Sequence, residues 1–314
     1  MNLFRAARAV ASVEGDGVID WDAVGTAARA GTDPGELALT EADRRGYADD
    51  VGDARDAVRE VAAADFDLPE TVHVQNRHHW IDANLSTFER LLSPIEQKAS
   101  LAPTVARAVN TGTMAVSLGF LARHVLGQYD PLLLADEDPE LYFVHPNIGA
   151  VAADLSVDRD RFRRWIAFHE VAHAAEFGAA PWLAPRLEDA VEEAIENLTA
   201  GRFDRGAFRE LDVTMTAVEG YAELVMDRAF DDEYADLREK LDERRAAVGP
   251  LSRVIRELLG FGMKRRQYVR GKAFFDAVAD ERGLEGAALV WERPENLPTD
   301  EELDDPARWL ARVG

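Results

Sequence analysis

Apolar side chains recur at i, i+3 and i+4 through most of this chain, and alternating runs are few, which predicts a mainly α-helical protein. Over residues 1–80 the periodic stretches are short, cut by "GDG", "GTDPG" and "FDLPE". From "HWIDANLSTFERLL" onward they lengthen and become more apolar. Helices are predicted over 94–109 and 112–127, then near 186–200, 206–230, 232–247, 250–260 and 264–282. Between the two groups, "QYDPLLLADEDPELYFVHPNI" holds a turn, an acidic loop and the one convincing strand, Leu141–Val144, rich in aromatic and β-branched residues. Helical signal resumes at Ser156, a plausible N-cap followed by the charged turn "VDRDR", and stops at Gly178 with Pro181 close behind. There is no internal repeat. The expected organisation is a helical region over 1–80 packed on a main domain over 81–314, or one continuous domain.

Composition narrows the chemistry. With 314 residues, 47% of them hydrophobic, the chain is long enough to bury a sizeable core. It has no cysteine, so a metal has only His, Asp or Glu to sit on. The balance of 59 acidic against 36 basic residues gives a net charge of −23, and the lysines are only Lys98, Lys240, Lys264 and Lys272. Such charge keeps a protein soluble where salt screens self-repulsion, so a salt-adapted, halophilic, cytoplasmic protein is expected. The same charge repels phosphate backbones, which argues against nucleic acid as a partner. No membrane segment is expected: the N-terminus meets acidic residues before any long apolar run, and "MAVSLGFLARHVLG" is short and broken by Arg123 and His124.

One stretch, "FRRWIAFHEVAHAAEFG" at 162–178, sets two histidines four residues apart on an otherwise apolar helix. Residues i and i+4 share a helix face, so His169 and His173 can aim two imidazoles at one point. Glu170 is turned about 100° from His169, within reach of a water on that metal but not of the metal itself. This is the physical sense of His-Glu-x-x-His: two zinc ligands and a general base on one rigid element. The bland alternative is a core helix with satisfied polar residues.

A zinc site with chemistry needs a third protein ligand. A histidine six residues after the second is absent, because Glu176 stands where the intervening glycine belongs and Ala179 where the histidine would be. Later glutamates remain. Those of "LEDAVEEAIEN" (Glu188, Glu192, Glu193, Glu196) read as a solvated face in so acidic a chain. Those of "MTAVEGYAELVM" stand one turn apart in an apolar run, where a carboxylate is costly without a cation. Glu219 is the candidate ligand, Glu223 the candidate hydrogen-bond acceptor for a ligating histidine, and Gly220 would permit a close helix approach. An arginine-paired buried acid is the alternative for both.

With "HEVAH" and "EGYAE" in place, the chain resembles a zincin-type metallopeptidase of the glutamate-ligand group. It is similar to one zincin-like family of actinobacteria and haloarchaea labelled as associated with coenzyme F-420 biosynthesis. The stretches that carry this likeness include "NRHHWIDANLSTFERLLSPI", "FVHPNI", "FHEVAHAAEF", "KRRQYVRGKAFFDAV" and "LPTDEELDDPARWLARV", within residues 76–314. The resemblance implies a mainly α, zincin-like catalytic domain over 81–314, a small short-stranded β element beside the active-site helix, and zinc-dependent peptidase chemistry on a peptide or protein substrate. The site then reads as one zinc per chain on His169, His173 and Glu219, with Glu170 as general base for an activated water. A second electrophile for the oxyanion is sought in His145 or Tyr268, and the strand Leu141–Val144 offers an edge for an extended peptide. His73, His78, His79 and His124 lack partners at helical spacing and are not expected to bind metal. The alternatives are a zincin fold that binds zinc and a ligand or partner without turnover, and a helical scaffold in which the motif is coincidence.

Overall fold

The computed structural model describes residues 3–11, 17–62, 66–98, 104–130, 139–199, 205–230 and 264–313, with a few positions between 234 and 240. The helices are α1 (Leu3–Ala11), α2 (Trp21–Gly31), α3 (Glu41–Ala62), α4 (Arg77–Lys98), α5 (Thr104–Ala122), α6 (His145–Asp154), α7 (Arg159–Ala179), α8 (Leu183–Thr199), α9 (Arg205–Ala229), α10 (Lys264–Glu292), α11 (Asp300–Asp304) and α12 (Pro306–Val313). The sequence-predicted helices over 232–247 and 250–260 fall largely outside the described residues. The mainly α expectation holds, and none of the described helices is long and apolar enough to cross a membrane.

Three short strands join them: β1 (Val72–Gln75), β2 (Gly127–Asp130) and β3 (Glu140–Val144). Their order is β1-β3-β2, with β1 parallel to β3 and β2 antiparallel to it. The strand at Leu141–Val144 therefore lies in the middle, paired on both sides, and has no free edge for a peptide. The outer position beside α7 belongs to β2.

Two apolar cores flank this sheet. In one, α7 is buried around most of its circumference, and Phe162, Ile166, Phe168 and Val171 pack with residues of α3, α9, α10 and α12. The other gathers α2, α4 and α5 around Trp21, Trp80, Ile81 and Leu118. Leu141 and Phe143 of β3 belong to the first and Val144 to the second.

Helix α7 starts later than expected. Its N-cap is Asp158, whose carboxylate accepts from the Arg161 amide at 2.9 Å, while Ser156 sits at φ 53° in the preceding turn. Gly178 does not end the helix; it makes room for Phe66, whose Cβ would lie 2.8 Å from an added methyl.

Helix α3, which packs along α7, is capped by a reciprocal pair. The Thr40 amide and hydroxyl donate to Asp43 Oδ2 at 2.9 and 2.7 Å, and the Asp43 amide donates to Thr40 Oγ1 at 3.1 Å. These Thr40 bonds, with Arg159 adding its charge against the cost of burial, hold the Asp43 carboxyl down at about 2. A depressed carboxyl stabilises the fold above its unfolded pKa of about 3.9 and loses that contribution as pH falls toward the folded value. Wild type is thus expected to lose stability between about pH 4 and 2 more steeply than Asp43→Asn, measured by urea midpoints at each pH.

Candidate metal centre

The two histidines of α7 and Glu219 of α9 meet. His169 Nε2 and His173 Nε2 are 3.3 Å apart, and Glu219 Oε2 is 4.0 Å from each. Among the described residues they form the group of candidate metal donors. Three atoms so spaced share a point about 2.2 Å from each, close to the roughly 2.0–2.2 Å that zinc takes to imidazole nitrogen and carboxylate oxygen. That point lies in the plane of the three atoms, so the donors surround a cation-sized position, and a small inward shift of Glu219 would complete a tetrahedral arrangement with one position open.

Helix packing holds this arrangement. Trp165, one turn before His169, stacks on its ring with centroids 5.6 Å apart and planes 6° off parallel. Helices α9 and α10 cross at Gly220 and Gly271. A methyl at Gly220 would lie 2.4 Å from the Gly271 carbonyl carbon, and one at Gly271 would lie 2.2 Å from the Thr216 carbonyl oxygen. Two glycines facing each other let the backbones touch, which fixes α9 directly beside Glu219.

The carboxylate that meets the outer nitrogen of a candidate ligand is Glu176. Its Oε2 lies 2.9 Å from His173 Nδ1, and the residue is fully buried. An acceptor there fixes the tautomer, leaving Nε2 as the donor atom for a metal. The sequence offered a signal: an acid three residues after His173, among alanines and Phe177, is as costly as Glu219 on its apolar run. Glu223, the residue expected in such a role, lies one turn beyond Glu219 on α9 and is also buried.

The electrostatics favour a cation. Burial works against an imidazolium at His173, but the Glu176 hydrogen bond and the charges of Glu176, Glu219 and Glu170 outweigh it and hold the group at about 9. Glu176 is pushed up to about 7, first by burial and then by the charge of Glu219. Buried acids crowding two imidazoles are the surroundings a divalent ion relieves.

Glu170 is also buried, and its Oε2 accepts from the Tyr129 amide of β2 at 2.8 Å. The structure takes His145 elsewhere: its Nδ1 pairs with the Tyr47 hydroxyl at 3.0 Å, and its charged neighbours are Asp43, Arg159 and Arg163. Tyr268 lies in α10, and its side chain is outside the described residues. His73 faces Glu140 at 3.4 Å, His78 meets the Thr32 carbonyl and His124 the Phe120 carbonyl. Glu192 and Glu193 are exposed on α8, Glu188 is half-buried, and the Glu196 side chain lies outside the described residues. Among the described cations of α10, Arg270 is engaged by Asp300 and Asp304 and Lys272 by Asp227 and Asp276.

A His-His-Glu set carried by two helices, its glutamate buried and its histidines half-buried, is a donor group that could hold a metal ion, and sequence comparison supplies the family. The chain belongs to the zincin-like metallopeptidase family, whose model matches residues 19–204 and 201–310. A crystal structure from Chloroflexus aurantiacus, described as "a putative hydrolase with a novel fold", is similar throughout, with a TM-score of 0.75 and 29% identity over 100% of this chain and 98% of that one. No curated protein matches the chain.

Proposed function

We propose that this protein is a zinc-dependent hydrolase that cleaves peptide bonds. The observation that carries the reading is the convergence of His169, His173 and Glu219, with Glu170 on the same helix as the histidines and hydrogen-bonded to β2 on its side away from β3. Zinc held by these three residues would act as a Lewis acid toward a carbonyl and lower the pKa of water to about 7. Glu170 takes the proton of the attacking water and hands it to the leaving amine. Glu176 keeps His173 in one tautomer, and the burial of both carboxylates limits competing water. An extended peptide would pair with outward backbone groups of β2 other than the Tyr129 amide, which Glu170 already takes. Family membership and the Chloroflexus neighbour support the hydrolase class.

Metal analysis by mass spectrometry together with a peptide-library assay tests this. Wild type is expected to hold one zinc per chain and cleave; His173→Ala is expected to lose both. Glu170→Gln is expected to retain zinc while turnover falls by roughly 10²–10⁴-fold, the usual worth of a general base. Zinc without any wild-type cleavage would instead favour a zincin fold that binds without turnover, and a zinc-free wild type would sink the reading.

A further inference from the structure

The strand beside the candidate base is shaped around it. In the order β1-β3-β2, β2 is outermost. The Val144 amide donates to the Leu126 carbonyl, so the bonded rungs to β3 fall at 126 and every second residue after it. Gly127 and Tyr129 consequently turn their amides to the edge away from β3. At that edge the Tyr129 amide is taken by Glu170 Oε2.

Gly127 has no conformational reason to be glycine, since the described glycines with positive φ are Gly35 and Gly283. Its reason is space. A methyl on Gly127 would lie 2.6 Å from Glu170 Cγ, 2.8 Å from Oε1 and 2.9 Å from Cδ, distances that packed carbon atoms do not reach. Glu170 is only 7% exposed, so its side chain has little room to swing aside.

We propose that β2 positions the candidate base: the missing side chain of Gly127 opens the slot that Glu170 fills, and the Tyr129 amide anchors its carboxylate there. A glutamate has three side-chain torsions, and a base must be held within about 0.5 Å to work efficiently; here the strand supplies that restraint while α7 supplies the Cα. The catalytic half of this inference rests on the reading of Glu170 as base, and the structural half does not.

The test is a double-mutant cycle in the full-length chain, read first as thermal unfolding in the presence of a chelator. Gly127→Ala is expected to lower Tm, and Gly127→Ala/Glu170→Ala to recover most of that loss, because the clash is with this side chain. Gly149→Ala on α6, where an added methyl meets nothing within 4 Å, serves as the control and is expected to show no coupling to Glu170→Ala. If Gly127→Ala does not fold, folding of the double variant carries the same information. In the zinc-loaded protein, Gly127→Ala is expected to keep its zinc and its KM while kcat falls about 10–100-fold, as a displacement near 1 Å would give. An unchanged Tm and kcat, or a Tm loss that Glu170→Ala does not relieve, overturns the proposal. If wild type proves inactive, only the kcat arm falls, together with the peptidase reading, and the stability cycle still decides the positioning.

Discussion

Glu219→Gln is expected to weaken zinc binding by more than the roughly 10–100-fold that loss of an outer hydrogen-bond partner costs, and yet to melt at a higher temperature than wild type once both are stripped by a chelator. The two effects have one cause. Glu219 is buried, 4.0 Å from two imidazole nitrogens and close enough to raise the pKa of Glu176 by its charge. Glu170, Glu176 and Glu223 are buried around it. Without a divalent cation this is an excess of negative charge out of water, which the fold must carry. An amide of the same shape removes one of those charges and keeps the packing. With zinc the sign reverses, because the carboxylate is a ligand that the amide replaces poorly. Competition with a chromophoric chelator reads the affinity, and melting at pH 8, where Glu176 is ionised, reads the stability. A lower chelated Tm in Glu219→Gln would show that Glu219 earns its place by a structural ion pair and not by metal binding. Sites that sacrifice stability in this way are common where function requires a charge the fold does not.

Much of this centre was readable in the chain because it is local. His169, Glu170 and His173 obey helical spacing, and Glu219 stands out as an acid on an apolar run, so two helix patterns suffice to place four residues. Gly220 read correctly as a point of close approach, although its counterpart Gly271 became visible only in the crossing of α9 and α10. What stayed hidden is what distant pairing creates. β1 and β2 have four residues each, and "GQYD" opens on glycine and closes on aspartate, both poor strand formers. They are strands because β3 pairs with both. Glu176 is hidden for a different reason: it occupies the place of the glycine in the three-histidine motif, and only its burial shows that it needs a partner of its own. His145 looked available beside a strand end, and the structure brings it to Tyr47 on α3, a partner 98 positions away in the chain. The start of α7 is ambiguous by two residues in the sequence because Ser156 and Asp158 are both good caps, and the choice between them depends on a turn with φ of 53° at Ser156.

The contact that braces the metal-binding helix gives the largest stability effect expected outside the centre. Asp50 Oδ2 on α3 accepts from Arg163 Nε on α7 at 2.7 Å, with both side chains less than a tenth exposed. The Arg163 guanidinium also lies 5.3 Å from the Tyr47 ring centroid, and a methyl at Gly46 would be 2.4 Å from its Nη2. Burial raises the Asp50 carboxyl above its usual range even though the Arg163 hydrogen bond and charge pull it down, so assembling the pair brings little net gain. Breaking it is another matter. Asp50→Ala leaves a guanidinium stranded between helices, and the expected loss is about 3 kcal/mol, the lower end for a broken buried pair, because exposed Asp160 still meets Arg163 Nη1 at 2.8 Å. Replacing both partners, Asp50→Leu with Arg163→Met, is expected to recover most of that loss, since no charge is then left uncompensated. Urea unfolding of the single and double variants measures the difference; equal losses in both would mean that packing, not charge, joins the helices here. Arg163 lies six residues before His169 on the same helix, so zinc affinity in Asp50→Ala should fall with stability and return with it in the double variant.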